Sequence, residues 1–272
     1  MLSCNKPNIE SKLIKHIVDN KLINPFRLVD IGARGGISEV WKVFNPLLQF
    51  VGFDSDTDKS FIIPRLLSNE KSKRRFYLLD YPQSSSFYLP DYNFTNRLRD
   101  SQMLQLKSEI ELETSTLDEY DLKPDFLKID AEGAELDILL GSHETLKYLI
   151  GLEVEVCFFQ QRIKQPVFSD IDTFLRSQGF NLYNMRLLRY PRKPVVKGNY
   201  HLGNISKGQI ISAHCVYFRD LIPILNQCSK DKILKQACLL DLFECPDCAV
   251  ELLMYSDNKD LAGLVDVSEC YA

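Results

Sequence analysis

Asp30, Asp54 and Asp130 each close a short apolar run (RLVD, VGFD and FLKID) in a chain of 272 residues. In an open parallel sheet such positions face the crevice at the strands' carboxyl ends, where ligands bind. The first is followed by the turn Gly32-Ala33-Arg34-Gly35-Gly36. Glycines there let a ligand approach the backbone closely, and a helix beginning after them would face it with free N–H groups. Asp54 lies roughly 20 residues past the turn, where a carboxylate can accept both hydroxyls of a ribose; the competing reading is a helix cap or a surface acid. From Gly32, the second and third glycine positions of the dinucleotide fingerprint G-x-G-x-x-G hold Arg34 and Ile37, so a nicotinamide cofactor is disfavoured.

A second acidic group gathers further along. Asp130 and Glu132 stand in KIDAEG, and Glu153 and Glu155, two apart on one predicted strand, must share a face. Carboxylates on a central strand are costly to bury. Structural readings compete: Asp130 or Glu132 could cap the next helix, and Glu155 could pair with a buried cation. His143 and His214 read as surface or structural residues, while His201 sits in the connection between the last two predicted strands. Cys245-Pro246-Asp247-Cys248 has the C-x-x-C spacing but lacks the second pair a zinc site needs, and no strand leads into it.

The elements that must position these residues alternate in type. An amphipathic helix is expected over Ile9 to Asn20, then a strand over Arg27 to Ile31, the glycine turn and a helix. A strand over Phe50 to Phe53 leads to a helix over Asp56 to Leu67, and a third strand runs from Arg75 to Leu79. The polar stretch Tyr81 to Asn96 is a loop long enough to be functional. Phe126 to Ile129 is a strand, with Gly133 just inside a helix reaching Lys147; Gly151 to Phe159 is the next strand, and Asp170 to Gln178 a helix closed by Gly179. Phe180 to Met185 and Ile210 to Phe218 are joined without a helix and should pair antiparallel. The expected fold is α/β, with five parallel strands and a terminal antiparallel pair. From Leu221 onward the pattern is helical, near Cys228 to Phe243 and Pro246 to Tyr255, giving residues 1–220 as one domain and 221–272 as a helical extension.

Composition excludes several classes. With 45% hydrophobic and 26% charged residues the chain reads as globular. A net charge of −4 argues against a nucleic-acid partner. Lys71 to Arg75 and Arg186 to Lys197 are basic stretches that read as solvated loops, the second also as an acceptor-site loop. No export signal or run of about 18 apolar residues is present, so a cytoplasmic location with eight reduced cysteines is expected.

LVDIGARGG, VGFDSD, TSTLDEY, DFLKIDAEGAELDILLGS and LEVEVCFF, followed by QPVFSDIDTFLRSQGFNLYNM and GQIISAHCVYFRD, occur in the order seen in FkbM-type methyltransferases. The chain resembles that family over about residues 27 to 220. The resemblance implies a class I methyltransferase (Rossmann-like) sheet of seven strands, S-adenosylmethionine at the strands' carboxyl ends, and O-methylation, often of glycan or natural-product hydroxyls. Asp30 and Gly32, with Ala33, Arg34 and Gly36, match the first cofactor motif; Asp54 matches the ribose-binding acid, and Arg34 stands where many relatives carry asparagine. Ser84, Ser85 and Ser86 match a serine-rich segment, and Asp80, on strand-end position alone, is assigned to the adenine. The stretch from Asp54 to Ser84 is shorter than a third strand plus a hairpin requires, so one of these is expected to be missing.

Methyl transfer to an alcohol needs the oxygen held in line with the methyl carbon and its proton removed. Asp130, Glu132 and Glu155 are the candidates for that base, or for ligands of a metal such as magnesium that acidifies the hydroxyl. The function expected is an S-adenosylmethionine-dependent O-methyltransferase acting on a saccharide or sugar-bearing metabolite. The alternative is a catalytically inactive cofactor-binding module with a regulatory or interaction role. The apolar tail helices are expected to complete the core, to cover the acceptor pocket or to form a homodimer contact.

Overall fold

The computed structural model describes residues 7–54, 62–195 and 207–271. Seven strands form the central sheet: β1 (Phe26–Ile31), β2 (Leu48–Asp54), β3 (Ile62–Pro64), β7 (Phe126–Ile129), β8 (Gly151–Cys157), β9 (Asn181–Arg189) and β10 (Ile210–Phe218). Their order is β3-β2-β1-β7-β8-β10-β9, with β10 antiparallel to both neighbours and the other pairs parallel. The chain reverses direction of winding between β1 and β7, which opens a crevice above Asp30 and Asp130. This is the seven-stranded α/β architecture expected, terminal antiparallel pair included.

Three local expectations change. After the glycine turn there is no α-helix but a 3₁₀ segment, Glu39–Phe44, which ends where Asn45 turns extended before Pro46. Of the helix expected over Asp56 to Leu67, residues 55–61 lie outside the described residues, and 62–67 form β3 and the two-residue β4 (Leu66–Leu67). The Arg75 to Leu79 strand exists as β5 (Lys73–Leu79) but leaves the main sheet, pairing antiparallel with β6 (Leu106–Ser115) in a three-stranded sheet with β4. The third strand of the central sheet is the three-residue β3, and among the described residues no two strands between Asp54 and Ser84 pair as a hairpin, since β4 and β5 each pair with β6.

The helices are α1 (Lys12–Asp19), α2 (Tyr92–Thr95), α3 (Glu135–Leu140), α4 (His143–Leu146), α5 (Phe168–Ser177), α6 (Lys230–Leu242) and α7 (Pro246–Tyr255). The single helix expected from Gly133 to Lys147 is divided. Gly141 passes so close to Ser68 that an added Cβ would lie 2.2 Å from the Ser68 carbonyl oxygen, and the chain breaks into α3 and α4 there.

Two apolar cores sandwich the sheet. One gathers α1, the 3₁₀ segment and the tail helices over Phe26, Phe126 and Phe218; the other packs α3 and α5 on Val29, Leu127 and Val154. The described tail residues from Leu221 to Val267 thus share a core with the first strand, and none of them lines either cleft described below. Among the described residues no helix is long and apolar enough to cross a membrane.

A buried lysine fastens the tail to the sheet. Lys235 on α6 donates to the Pro25 carbonyl (3.1 Å) and to Asp125 Oδ2 (3.0 Å), and Asp125 also accepts from the Arg27 backbone N–H at 2.8 Å. Lys235→Met removes the ammonium and leaves the buried carboxylate short of its partner, so it is expected to destabilise the fold by about 3 kcal/mol. Urea denaturation checks this; a change below about 1 kcal/mol would mean that Arg27 suffices as partner.

Candidate active site

The crevice is built where three strand ends are tied together. Gly32 and Ala33 donate their N–H groups to the Phe53 carbonyl at 2.9 and 3.1 Å, and the Asp130 N–H reaches the Ile31 carbonyl at 2.9 Å. The chain can cross there only because Gly32 has no side chain: φ is +88°, and a Cβ would lie 2.0 Å from the Asp130 carbonyl oxygen. Gly36, also at positive φ, closes the turn on the Ala33 carbonyl (2.7 Å).

Gly32, Arg34, Gly35, Asp54 and Asp130 line a cleft enclosing about 1150 Å³, completed by Phe76, Tyr81, Ser85 and Phe87 from the small sheet and its loop. Asp30, Ala33 and Gly36 are not part of its lining. Ala33 is packed away, and Asp30, 2% exposed, lies beneath, accepting from Lys128 Nζ at 3.0 Å. Asp80 is exposed at the end of β5, its N–H bonded to the Gln105 carbonyl, and the structure does not bring it to the cleft. The serines fix the loop itself. Ser85 accepts from the Leu79 N–H (3.1 Å), and Ser86 donates to the Glu132 carbonyl (2.7 Å).

A second cleft of about 870 Å³ adjoins the first, and Tyr81 and Glu132 border both. Glu132, Glu155 and Cys157 line one side of it; Leu98, Met103, Tyr190 and Pro191 bring the 81–104 loop and the chain after β9 against it. The three acids proposed from sequence therefore meet: Asp130 in the first cleft, Glu132 in both, Glu155 in the second.

Their environments differ. Glu132 sits at φ +54°, a left-handed conformation unusual for a side chain with Cβ, and pairs with Arg162, a buried cation from the loop after β8. Burial raises the Glu132 carboxyl above its usual range, against the pull of Arg162. Burial, and then the negative charges of Asp130, Glu132 and Glu135, push Glu155 well above the carboxylate range, so Glu155 favours its protonated form. The Lys128 ammonium, 4.0 Å from Asp130 Oδ2, offsets charge beneath the cluster. Burial alone would lower Lys128, but Asp30, Asp130 and Glu153 outweigh it and raise it.

Glu135 is a fourth carboxylate, 3% exposed, whose Oε1 accepts from the Ala131 and Gly133 N–H groups at 3.0 Å each and so shapes the turn carrying Glu132. Burial raises it to about 7. A carboxyl raised on folding holds its proton longer in the folded state. Stability is therefore fully present below the unfolded pKa of about 4.3 and falls towards pH 7, by up to about 1.4 kcal/mol per pH unit. Glu135→Gln is expected to flatten that slope in denaturation curves between pH 5 and 7; an unchanged slope would contradict the assignment.

Sequence reasoning missed Lys128, Arg162, Glu135 and Tyr81. Lys128 was legible in principle, since it stands two residues before Asp130 and must share its face; Arg162 and Tyr81 lie on loops, where no period marks a side chain's direction. His214 on β10 lies 3.8 Å from Glu153, and burial lowers it to about 4, leaving it neutral. It lines neither cleft. His143 packs against Phe174, and His201 lies outside the described residues. Among the described residues no group of three or more His, Cys, Asp or Glu side chains is placed to hold a metal ion. Cys245 and Cys248 are free thiols at the start of α7.

The strand order, with β10 reversed and the crevice at the β1/β7 change of direction, defines a protein of the class I methyltransferase fold. The chain belongs to the FkbM methyltransferase family: it matches the Methyltransferase FkbM domain over residues 40–182, just over half its length. Among solved structures it is similar to a methyltransferase FkbM from Methylobacillus flagellatus KT, with 14% identity and a TM-score of 0.39, over 71% of this chain and 43% of that one. It is also similar to a candidate tRNA (m1A22) methyltransferase from Streptococcus pneumoniae, with 11% identity and a TM-score of 0.33, over 91% and 96%. The chain thus spans less than half the length of the first of these. No curated protein matches it.

Proposed function

We propose that this methyltransferase uses S-adenosylmethionine in the first cleft and methylates a hydroxyl oxygen of a saccharide, or of a sugar-bearing metabolite, in the second. The observation that carries the reading is the junction of the two clefts at Tyr81 and Glu132, beside Asp130 and Glu155. The first cleft fits such a cofactor: bare backbone at Gly32 and Gly35 allows close approach, Asp54 offers a carboxylate to a ribose diol, and Phe76 and Phe87 offer apolar walls to a ring. When bound, S-adenosylmethionine supplies an electrophilic methyl group.

The chain's own part is to orient the acceptor and move one proton. Asp130 receives the hydroxyl proton as the oxygen forms its new bond to carbon, and Lys128 offsets the carboxylate charge until then. Glu155, in its acid form, donates a hydrogen bond, and the Glu132–Arg162 pair fixes the wall between the clefts. Arg99, Gln161, Gln165 and Tyr190 give the second cleft many polar groups, as a polyhydroxylated acceptor requires.

Asp54→Ala tests the cofactor assignment. Loss of two hydrogen bonds to a charged acceptor is expected to weaken S-adenosylmethionine binding by about 10- to 100-fold in calorimetric titration. An unchanged affinity would remove Asp54 from the cofactor site. Product analysis with a panel of sugars then decides the acceptor class: methyl ether formation supports the reading, and cofactor binding without transfer to any hydroxyl favours a binding module.

A further inference from the structure

The second cleft is lined from two distant stretches of the chain. Glu132 and Glu155 line one side of it, and Glu132 also borders the first cleft. Leu98, Arg99 and Pro191 also line it, and an antiparallel bridge between Leu98 and Arg192 fastens their segments together through two backbone hydrogen bonds, Arg99 N–H to the Pro191 carbonyl (3.0 Å) and Lys193 N–H to the Arg97 carbonyl (3.1 Å). This clamp brings Arg97 and Arg192 to one aromatic ring, their guanidinium carbons 5.7 and 4.6 Å from the centroid of Phe94.

Arg97 and Arg192 flank the lining residues Leu98 and Pro191 rather than line the cleft themselves, and they differ from Arg99 and Arg162, which do line it. Arg99 is paired with Asp100 and Arg162 with Glu132, whereas Arg97 and Arg192 form no ion pair among the described residues. Arg192 donates through Nη2 to Gln209, but its Nη1 is shielded from solvent with no hydrogen-bond partner. Burial, and then the like charge of Arg97, lower its pKa. The connection itself cannot neutralise them, because Tyr190 to Gln209 contains Arg192, Lys193, Lys197 and Lys207 and no aspartate or glutamate. A buried donor without a partner, beside a like charge, is costly unless a ligand completes it.

We propose that the acceptor carries an anionic oxyacid group, phosphate or carboxylate, which Arg97 and Arg192 hold at the rim of the second cleft. The inference rests on reading that cleft as the acceptor site. It gives the acceptor an orientation as well as a class: the Asp130 carboxylate beside the junction repels an anion and the arginines attract it, so a neutral hydroxyl is the part presented to Asp130. Two guanidinium groups around one ring make a local anion site, not the long cationic track a nucleic acid needs.

The test titrates the full chain calorimetrically with glucose 1-phosphate, methyl glucuronide and methyl glucoside, each with and without S-adenosylhomocysteine. At least one charged probe is expected to bind about tenfold or more tighter than the neutral glucoside, with an affinity that falls as salt rises. The Arg97→Gln/Arg192→Gln double variant is expected to abolish that preference. Arg75→Gln, which removes an exposed cation of β5 paired with Glu109, is expected to keep it. The phosphate and carboxylate arms distinguish the two anions. Equal or absent binding of charged and neutral probes, or a preference untouched by the double substitution in a folded variant, overturns the proposal. Titration with S-adenosylmethionine separates the two levels. A chain that binds the methyl donor but not the anions loses this inference alone. One that takes the anions through Arg97 and Arg192 but binds no methyl donor loses the proposed function and keeps the anion site.

Discussion

Asp130→Asn is expected to lower kcat by about a hundredfold or more while leaving affinity for S-adenosylmethionine within about threefold. Asparagine keeps the size of the side chain and its place at the end of β7, where Asp130 lines the first cleft, but it cannot accept a proton. Glu155 does not replace it as base, because burial and the neighbouring negative charges favour its protonated form. Single-turnover kinetics beside a titration separate the two quantities. If binding and turnover fell together, Asp130 would be a cofactor ligand or a structural residue; if neither fell, the proton would leave by another route.

Gly32→Ala has the second large effect, and it acts through the backbone. The residue sits at φ +88°, and the new Cβ would lie 2.0 Å from the Asp130 carbonyl oxygen, a main-chain atom that cannot rotate away. Left-handed backbone costs a residue with Cβ roughly 1–2 kcal/mol before any clash. Relieving the clash must also move the β1 end away from β7. A loss of at least about 3 kcal/mol, or roughly 6 °C or more in Tm, is expected, together with loss of cofactor binding. A variant as stable as the natural chain would show that the β1 turn is not held as described.

Much of this site was legible because strand ends are legible. Asp30, Asp54 and Asp130 each end an apolar run, and the period of two places Glu153 and Glu155 on one face of β8. The tail helices were read nearly to the residue, since Ser229 caps α6 and Pro246 opens α7. Most of what failed lies between Asp54 and Ser115. β6 was not read although Ile110 and Leu112 alternate with Glu109, Glu111 and Glu113; it is mostly polar, and its first six residues are all exposed. β5 resembles a sheet strand because β-propensity carries no record of which partner it takes, and its removal to the small sheet moved Asp80 away from the cleft. The turn after Asp130 was read as helix because Glu132 was not expected at positive φ. Only the finished structure shows Glu135 accepting the two N–H groups that help hold it there.

The clamp between Arg97 and Arg192 was beyond sequence reading for a different reason. Its parts lie about a hundred residues apart; Arg192 stands in a stretch that reads as a basic loop, and no sequence feature singles out Arg97. Spatial meeting turns two bland features into one feature with a consequence for the substrate.

Calorimetric titration of the full chain with S-adenosylmethionine, and separately with NAD, tests the central claim most directly. Saturable one-to-one binding of the methyl donor, weakened in Asp54→Ala and absent for NAD, is the predicted result. A folded chain that binds NAD instead, or that binds no S-adenosylmethionine at all, would contradict the account.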